Sequence, residues 1–137
     1  MSKFKIYTDG GARGNPGPSG CGVVIYDQQN KIIGEYTKFF KRATNNQAEY
    51  EALILALQKA KALKAKELDC YSDSQLIVEQ LNHRYKVKNP KLGSLFIKVW
   101  NLSQSFQKIN YYHIPREKNK QADKLVNKVI DENLKKT

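Results

Sequence analysis

The sequence predicts an α/β fold with a five-stranded mixed sheet flanked by helices. Three segments with strand character come first, and a helical repeat of apolar residues begins only after them. From there to the end of the chain, strand-like segments alternate with helical ones. Strands in a run, followed by strands that alternate with helices, imply a mixed sheet on which helices pack. The predicted order of elements is β-β-β-α-β-α-α-β-α.

Each strand is predicted from alternating apolar and polar residues and from a high share of β-forming side chains. Only three residues separate the second strand from the third, and so short a link is typical of a hairpin. The five predicted strands are residues 4–9, 21–27, 31–40, 67–72 and 109–114.

The helices are predicted from apolar residues that recur every three or four positions. They cover residues 46–63, 74–82, 90–102 and 119–130. Two capping boxes compete for the start of the first helix, one formed by Thr44 with Gln47 and the other by Asn46 with Glu49. Asn119 is expected to cap the last helix.

Length and composition indicate a single folded domain over residues 1–137. Hydrophobic residues make up 40% of the chain, a balance typical of globular proteins and not of disordered ones. No apolar stretch approaches the ~20 residues that span a bilayer, and the first residues lack the apolar core of a signal peptide. Cys21 and Cys70 are too few for a disulfide framework or a zinc site. We therefore expect a cytoplasmic protein with two free, buried thiols; a bridge between them is the alternative.

The net charge of +11, from 24 basic and 13 acidic residues, indicates a polyanionic partner. Most of the excess lies in residues 83–137, which hold 13 basic and four acidic residues, a net charge of +9. A positive field concentrated in one part of the chain favours a nucleic acid. The alternative is a set of surface lysines that only keep the protein in solution.

Glycine recurs every third residue within the stretch DGGARGNPGPSGCG, residues 9–22. The stretch is not a phosphate-binding P-loop, since no Gly-Lys-Ser/Thr follows, and not a dinucleotide-binding motif, since a strand follows it. We expect a long turn that joins two antiparallel strands. The alternative is a loop whose small residues let a large ligand approach, with Ala12 and Asn15 presenting polar groups to it.

Four acidic residues stand where strands end or helices begin. Asp9 ends the first predicted strand, Asp73 ends the fourth, and Glu49 and Asp123 lie in the first turns of the first and last helices. Each has a local explanation. Asp9 could form an Asp-Gly turn, Glu49 could complete a capping box, and the other two could complement helix dipoles.

Taken together, the four acids predict a metal site. Strand ends and helix starts gather at one edge of a mixed sheet, so the four carboxylates are expected to converge. Carboxylates repel one another at short range unless a cation lies between them. Mg²⁺ prefers oxygen ligands and substrate phosphate, and two such ions can clamp the attacking and leaving oxygens of a phosphodiester. A basic protein with this site is suited to cutting a phosphate backbone.

The segments YTDGGARGNPGPSGCG, TNNQAEYEAL, SDSQ and HIPREKNKQAD resemble, in this order, the four motifs of type 1 ribonuclease H (ribonuclease HI). The resemblance covers residues 4–130. It implies a ribonuclease H-like fold and endonucleolytic cleavage of the RNA strand of RNA–DNA hybrids, leaving 5′-phosphate and 3′-hydroxyl ends. A catalytically silent hybrid-binding module of the same fold is the runner-up. A DNA nuclease of related fold, such as a Holliday-junction resolvase or a transposase core, is the third interpretation.

The resemblance also implies roles for the four acids. By position they match the family's metal ligands, which bind two Mg²⁺ ions that Mn²⁺ can replace. It implies that Asp9 bridges both ions, that Glu49 and Asp73 complete one site, and that Asp123 completes the other. His113, ten residues before Asp123, matches the histidine that assists the leaving group or the release of product.

Further positions match the family's contacts to the hybrid. Amide side chains at four of them match residues that touch RNA 2′-hydroxyls and base edges in the minor groove, where an amide can both donate and accept. Thr44 matches a residue that holds a DNA-strand phosphate, and Arg42 assists it. The implied nucleic-acid contacts are Ala12, Asn15, Arg42, Thr44, Asn45, Asn46, Gln75, Tyr85 and Lys88.

The chain departs from many bacterial members between Asp73 and Asp123. Only 49 residues separate them, too few for the extra helix and basic loop with which those members grip the hybrid. We therefore expect a short form without the basic protrusion. In the connection that replaces it, Tyr85 is expected to lie against a DNA sugar, and Lys86, Lys88 and other lysines are expected on phosphates. No N-terminal hybrid-binding domain is expected, and the protein is expected to bind the hybrid as a monomer.

Overall fold

The computed structural model describes residues 2–135, which form five strands and four helices. The strands are β1 (Lys3–Ala12), β2 (Gly17–Tyr26), β3 (Ile32–Ala43), β4 (Glu67–Ser72) and β5 (Lys108–His113). The helices are α1 (Asn45–Ala62), α2 (Gln75–Leu81), α3 (Pro90–Ser103) and α4 (Lys120–Leu134), and a short 3-10 turn at Arg116–Lys118 precedes α4. The order of strands and helices is the predicted one.

β1 lies at the centre of a single sheet with the strand order β3-β2-β1-β4-β5. The first three strands form an antiparallel meander because short turns join them. β4 and β5 run parallel to β1, since helices intervene between these strands along the chain. The predicted mixed sheet is therefore confirmed, and β1 pairs with one neighbour of each kind.

Helices cover both faces of this sheet. On one face, α1 buries Tyr50, Leu53 and Leu57 against the central strands, and α3 packs against α1. On the other face, α4 packs over β2 and contributes Val126 and Ile130 to a smaller apolar cluster. The N-terminal halves of α1 and α4 border one cleft beside β1. The two helices therefore bring side chains to the same end of the central strand.

Thr44 begins α1 with a capping box. Its hydroxyl accepts the Gln47 N–H at 3.1 Å, and its own N–H donates to Gln47 Oε1 at 2.8 Å. The competing box of Asn46 and Glu49 does not form, because α1 begins at Asn45 and both residues lie inside the helix. Glu49 consequently lies in the second turn of α1 and not in the first.

The glycine-rich stretch forms two strand ends and a short turn, so the expectation of a long turn is wrong. β1 continues through Ala12 and β2 begins at Gly17, which leaves residues 13–16 for the turn. Asp9 lies inside β1 and does not form an Asp-Gly turn. The connection is nevertheless antiparallel, as expected.

Two glycines of this stretch let helices approach the sheet closely. A Cβ on Gly10 would lie 2.3 Å from the carbonyl carbon of Ala48 in α1. A Cβ on Gly22 would lie 2.6 Å from the carbonyl oxygen of Ala122 in α4. Because backbone occupies the space of the missing side chains, glycine at these positions fixes how near both helices lie to β1 and β2.

Cys21 and Cys70 are both buried and free, as expected. Burial raises the pKa of each thiol to about 12, so both remain protonated and unreactive. Among residues 2–135, no helix has the length and apolar character that crossing a bilayer requires.

The space around two glycines, Gly10 in β1 and Gly93 in α3, predicts opposite effects of Gly→Ala substitutions on stability. Gly10→Ala should destabilise the protein by roughly 2–3 kcal/mol, because its methyl group meets helix backbone that cannot move aside. Gly93→Ala, the control, should stabilise it by roughly 0.5–1 kcal/mol, because this helical position faces open space. Urea denaturation of both variants measures the two changes. Equal stability of Gly10→Ala and the unsubstituted protein would contradict the packing described.

Candidate active site

Three carboxylates meet where β1, α1 and β4 come together. Asp9 lies within β1, Glu49 in the second turn of α1, and Asp73 directly after β4. Each offers a carboxylate oxygen within 4.8 Å of those of the other two. Asp9 and Glu49 are buried and Asp73 is half-buried. The structure thus brings together three of the four predicted carboxylates.

Burial and mutual repulsion raise the pKa of the two innermost carboxyls. Desolvation is the main cause for Asp9, followed by the charge of Asp73, and the pKa reaches about 7. Burial and then the charge of Asp9 raise the pKa of Glu49 well above its usual range. Two donors face Glu49: the Gly10 N–H at 2.9 Å and the Ser72 hydroxyl at 3.4 Å. They offset only part of the repulsion, and a cation bound between the two carboxyls would favour their ionised forms.

Asn119 holds Asp73 instead of capping α4. It occupies the position before the helix, but its side chain makes no capping hydrogen bond. Its Nδ2 donates to Asp73 Oδ2 at 3.0 Å and to the Thr8 carbonyl oxygen at 2.9 Å. The expected capping role is therefore wrong. Its backbone, with φ −115° and ψ 28°, is not in the extended conformation typical of a cap.

Asp123 lies on the wall of the same cleft, outside the group of three. It is in the first turn of α4, as predicted, and its side chain is 34% exposed. Its Oδ1 lies 3.8 Å from Nη2 of Arg116, and its Oδ2 lies 3.5 Å from Nδ2 of Asn127. Its charge also helps to raise the pKa of Asp9. All four predicted carboxylates therefore border one cleft of about 500 Å³.

The donor set of this cleft suits a hard divalent cation. The converging group consists of carboxylates alone, with neither a thiol nor an imidazole among them. Oxygen-only ligation favours Mg²⁺, Mn²⁺ or Ca²⁺ over zinc and copper. A cation there would also cancel the repulsion that raises the pKa of Asp9.

A second cleft, of about 760 Å³, adjoins the first, since Asn46 lines both. The N-terminal ends of α1 and α3 border it, and the dipole of each helix places partial positive charge there. Arg42 and Lys91 add two full positive charges. Asn15 and Thr44 also line it. Four predicted nucleic-acid contacts thus lie around a surface whose charge suits a phosphate group.

The turn between β1 and β2 is bonded to the start of α1. Asn15 Oδ1 accepts the Asn45 N–H at 2.9 Å, and Asn45 Oδ1 accepts the Ala12 N–H at 2.7 Å. Both amide oxygens are therefore engaged within the protein. Ala12 and Asn45 line the first cleft, next to the carboxylates.

The remaining predicted residues line neither cleft. Gln75 is exposed at the first position of α2, and His113 is exposed at the end of β5, beside the last residue of β4. Tyr85 and Lys88 are exposed in the connection formed by residues 82–89, between α2 and α3. Within the described part of the chain, this short connection stands in place of a protrusion, as the spacing predicts.

Sequence patterns do not single out four side chains that the structure places at the site. Arg116 stands inside the HIPREKNKQAD segment, and Asn127 follows Asp123 by one helical turn, a spacing at which side chains meet. Both could therefore have been found from the sequence. Arg13 and Ser72 also stand inside quoted segments, but their partners lie in distant parts of the chain, so nothing nearby assigns them a contact.

Comparisons with known proteins agree with this geometry. The family model described as "Reverse transcriptase-like" matches residues 7–129. The bifunctional protein Rv2228c of Mycobacterium tuberculosis is 43% identical over 130 residues, which cover 94% of this chain and 36% of that protein. The present chain thus spans about a third of the length of that relative.

Two further relatives match over nearly their whole length. Ribonuclease H of Acetivibrio thermocellus is 33% identical, with 99% of this chain and 100% of the relative covered. The solved structure of LC11-RNase H1, isolated from compost, in complex with an RNA/DNA hybrid has a TM-score of 0.92 and 45% identity, over 96% of this chain and 99% of that one. With the fold, the carboxylate cluster and these matches in agreement, the chain belongs to the ribonuclease H family.

Proposed function

We propose that this protein is an endoribonuclease that cleaves the RNA strand of RNA–DNA hybrids and leaves 5′-phosphate and 3′-hydroxyl ends. The observation that carries the proposal is the group of three converging carboxylates in an otherwise strongly basic protein. Binding alone would not favour negative charges that face a phosphate backbone. The hybrid bound to the similar LC11-RNase H1 supports the substrate class.

The carboxylates would hold two Mg²⁺ ions, for which Mn²⁺ can substitute. Asp9 is proposed to bridge them, with Glu49 and Asp73 on one side and Asp123 on the other. When bound at such a site, divalent ions would supply the activation of water and the stabilisation of the charge that develops on the phosphate. Within the protein, the Gly10 N–H orients Glu49 and Asn119 orients Asp73.

The second cleft is proposed to hold a phosphate of the DNA strand. Thr44, Arg42 and Lys91 would contact it, and the N-termini of α1 and α3 would add to the attraction. The amides of Asn15, Asn45, Asn46 and Gln75 are proposed to read RNA 2′-hydroxyls, which distinguish RNA from DNA.

The exposed residues outside both clefts are proposed to contact other parts of the substrate. Tyr85 would lie against a DNA sugar, and Lys86 and Lys88 would lie near phosphates. His113, at the end of β5, is proposed to assist the leaving group or the release of product.

The protein is further proposed to act as a monomer, as a single domain, in the cytoplasm.

A cleavage assay with Asp9→Asn as matched variant tests the activity. One labelled RNA strand is offered single-stranded, paired with RNA and paired with DNA, each with Mg²⁺ and with EDTA. We expect the hybrid to be the only substrate cleaved, and only when Mg²⁺ is present. In Asp9→Asn the cleavage rate should fall by at least about a thousandfold, since the substitution removes a charge that both ions would share.

Other outcomes of this assay would contradict the proposal. Hybrid bound by a folded protein but never cut would favour the silent binding module. A DNA duplex cut as fast as the hybrid would favour a DNA nuclease. Full activity of Asp9→Asn would remove that carboxylate from the site.

The raised pKa of Asp9 predicts how stability depends on pH and metal. Between the unfolded pKa near 3.8 and the folded pKa near 7, the folded protein binds more protons than the unfolded chain. The free energy of unfolding of the metal-free protein should therefore fall as pH rises through this range. Above pH 7, Mg²⁺ should raise the thermal midpoint, and near pH 5 it should raise it much less.

Thermal denaturation near pH 5 and near pH 8, in EDTA and in millimolar Mg²⁺, measures these changes. Asp9→Asn serves as control, because it removes one of the two carboxyls whose pKa is raised. At pH 8 without metal it should be more stable than the unsubstituted protein, by on the order of 4 kcal/mol. A midpoint independent of Mg²⁺ at both pH values would contradict a preformed cation site.

The second cleft predicts a binding defect for Lys91→Ala. KM for the hybrid should rise several-fold with kcat nearly unchanged, because a phosphate contact outside the carboxylate cluster is lost. The dependence of log affinity on log salt should fall by about one unit. Lys61→Ala is the control. Lys61 lies near the C-terminal end of α1, roughly 24 Å along the helix axis from Asn45, whereas the cleft lies at the N-terminal end. Equal salt slopes for the two variants would exclude this cleft from binding.

A further inference from the structure

Arg13 connects the turn between β1 and β2 to α4. We propose that Arg13 is a positioning residue: through Asn127 it sets the place of Asp123 relative to the three-carboxylate group, and thereby the affinity of the metal site. The inference rests on the proposed function, since it assigns a role at that same site.

One end of the connection is the bond between the turn and α1. Asn15 and Ala12 are each hydrogen-bonded to Asn45, at 2.9 and 2.7 Å. Asn45 is the first residue of the helix that carries Glu49. The turn therefore has a fixed position relative to the buried carboxylates.

The other end is the bond between Arg13 and α4. Nη1 donates to Asp131 Oδ1 at 2.5 Å, and Nη2 lies 3.4 Å from Asn127 Oδ1 and 3.5 Å from the Asn127 carbonyl oxygen. The guanidinium lowers the pKa of Asp131, so the pair is charged at neutral pH. One planar guanidinium thus holds two successive turns of the helix.

Asn127 carries this contact to the metal ligand. Its Nδ2 donates to the carbonyl oxygen of Asp123 at 3.2 Å and lies 3.5 Å from Asp123 Oδ2. Arg13 orients the oxygen of this amide, which leaves its nitrogen directed at Asp123. Arg116, whose side chain is 81% exposed, approaches the other oxygen of Asp123 at 3.8 Å. Asn127 and Arg116 thus face Asp123 from two sides.

The ion pair itself contributes little to the stability of the fold. The side chains of Arg13 and Asp131 are 40% and 54% exposed, and water screens such pairs strongly. A metal site, however, loses affinity when one ligand is displaced by a fraction of an ångström. A positioning role therefore predicts a change in metal dependence without a matching change in stability.

Three variants separate the two contacts of Arg13, one to Asp131 and one to Asn127. Arg13→Gln loses both contacts. Arg13→Lys keeps a positive charge that faces Asp131 but has no second nitrogen for Asn127. Lys128→Ala is the control, because it removes the pair between Lys128 and Glu132, at 4.0 Å on the outer side of the same helix. Each protein is measured for Mn²⁺ affinity by calorimetry without substrate, for the Mg²⁺ concentration of half-maximal cleavage, and for thermal midpoint.

We expect Arg13→Gln and Arg13→Lys to weaken Mn²⁺ binding and to raise the half-maximal Mg²⁺ concentration by about five- to tenfold. Their thermal midpoints should stay within about 3 °C of the unsubstituted protein. Lys128→Ala should change none of the three quantities. Arg13→Lys groups with Arg13→Gln in metal dependence because both lose the contact to Asn127.

Two results would overturn the inference. Unchanged Mn²⁺ affinity in Arg13→Gln would show that Asp123 keeps its place without Arg13. An equal loss of Mn²⁺ affinity in Lys128→Ala would show that removing any positive charge near α4 weakens the metal site. If the unsubstituted protein binds Mn²⁺ but cuts no hybrid, the proposed function fails while the Mn²⁺ measurements still decide the role of Arg13. If it binds no Mn²⁺, both fail.

Discussion

The repulsion between Asp9 and Glu49, two carboxylates buried side by side, is the constraint on which the rest of the structure depends. A protein interior screens charge poorly, so this pair is unfavourable unless donors, protons or a cation compensate it. The Gly10 N–H and the Ser72 hydroxyl compensate part of it. The architecture around the pair leaves one side open as a cleft, and that opening is what makes a cation the natural complement. The excess of positive charge elsewhere in the protein creates a field that suits a polyanionic partner.

The kinds and the order of the secondary-structure elements were predictable because their signals are local. Alternation over a few residues defines each strand, and a capping box at Thr44 defines the start of α1. The extent of β1 was not predictable in the same way. Gly10 and Gly22 form parts of strands because α1 and α4 close over them, and the contacting residues Ala48 and Ala122 lie 38 and 100 positions further along the chain. Local preferences for turns cannot show such partners.

The same distinction applies to the candidate site. Four carboxylates were expected to converge because strand ends and helix starts share an edge of the sheet. The structure places three of them together and the fourth, Asp123, on the wall of the same cleft. Asn119 was assigned a cap from its place before a helix, but the orientation of its side chain depends on Thr8 and Asp73, which only the folded chain brings near. Arg13 stands in the glycine-rich segment, but nothing near it in the sequence indicates its partner, since Asp131 is 118 residues away.

The placement of β1 has a consequence for how the protein is made. Asp9 precedes all of its carboxylate neighbours along the chain, which come from α1, from the end of β4 and from α4. Asp123 follows it by 114 residues, so a nascent chain still attached to the ribosome holds the first carboxylate of the cleft long before the last. Asp9 and Glu49 can come together early, but the cleft closes only after α4 has emerged. A truncated product that ends before α4 would thus lack both a carboxylate of the cleft and the cover of one sheet face, so the cleft is complete only once α4 has been synthesised.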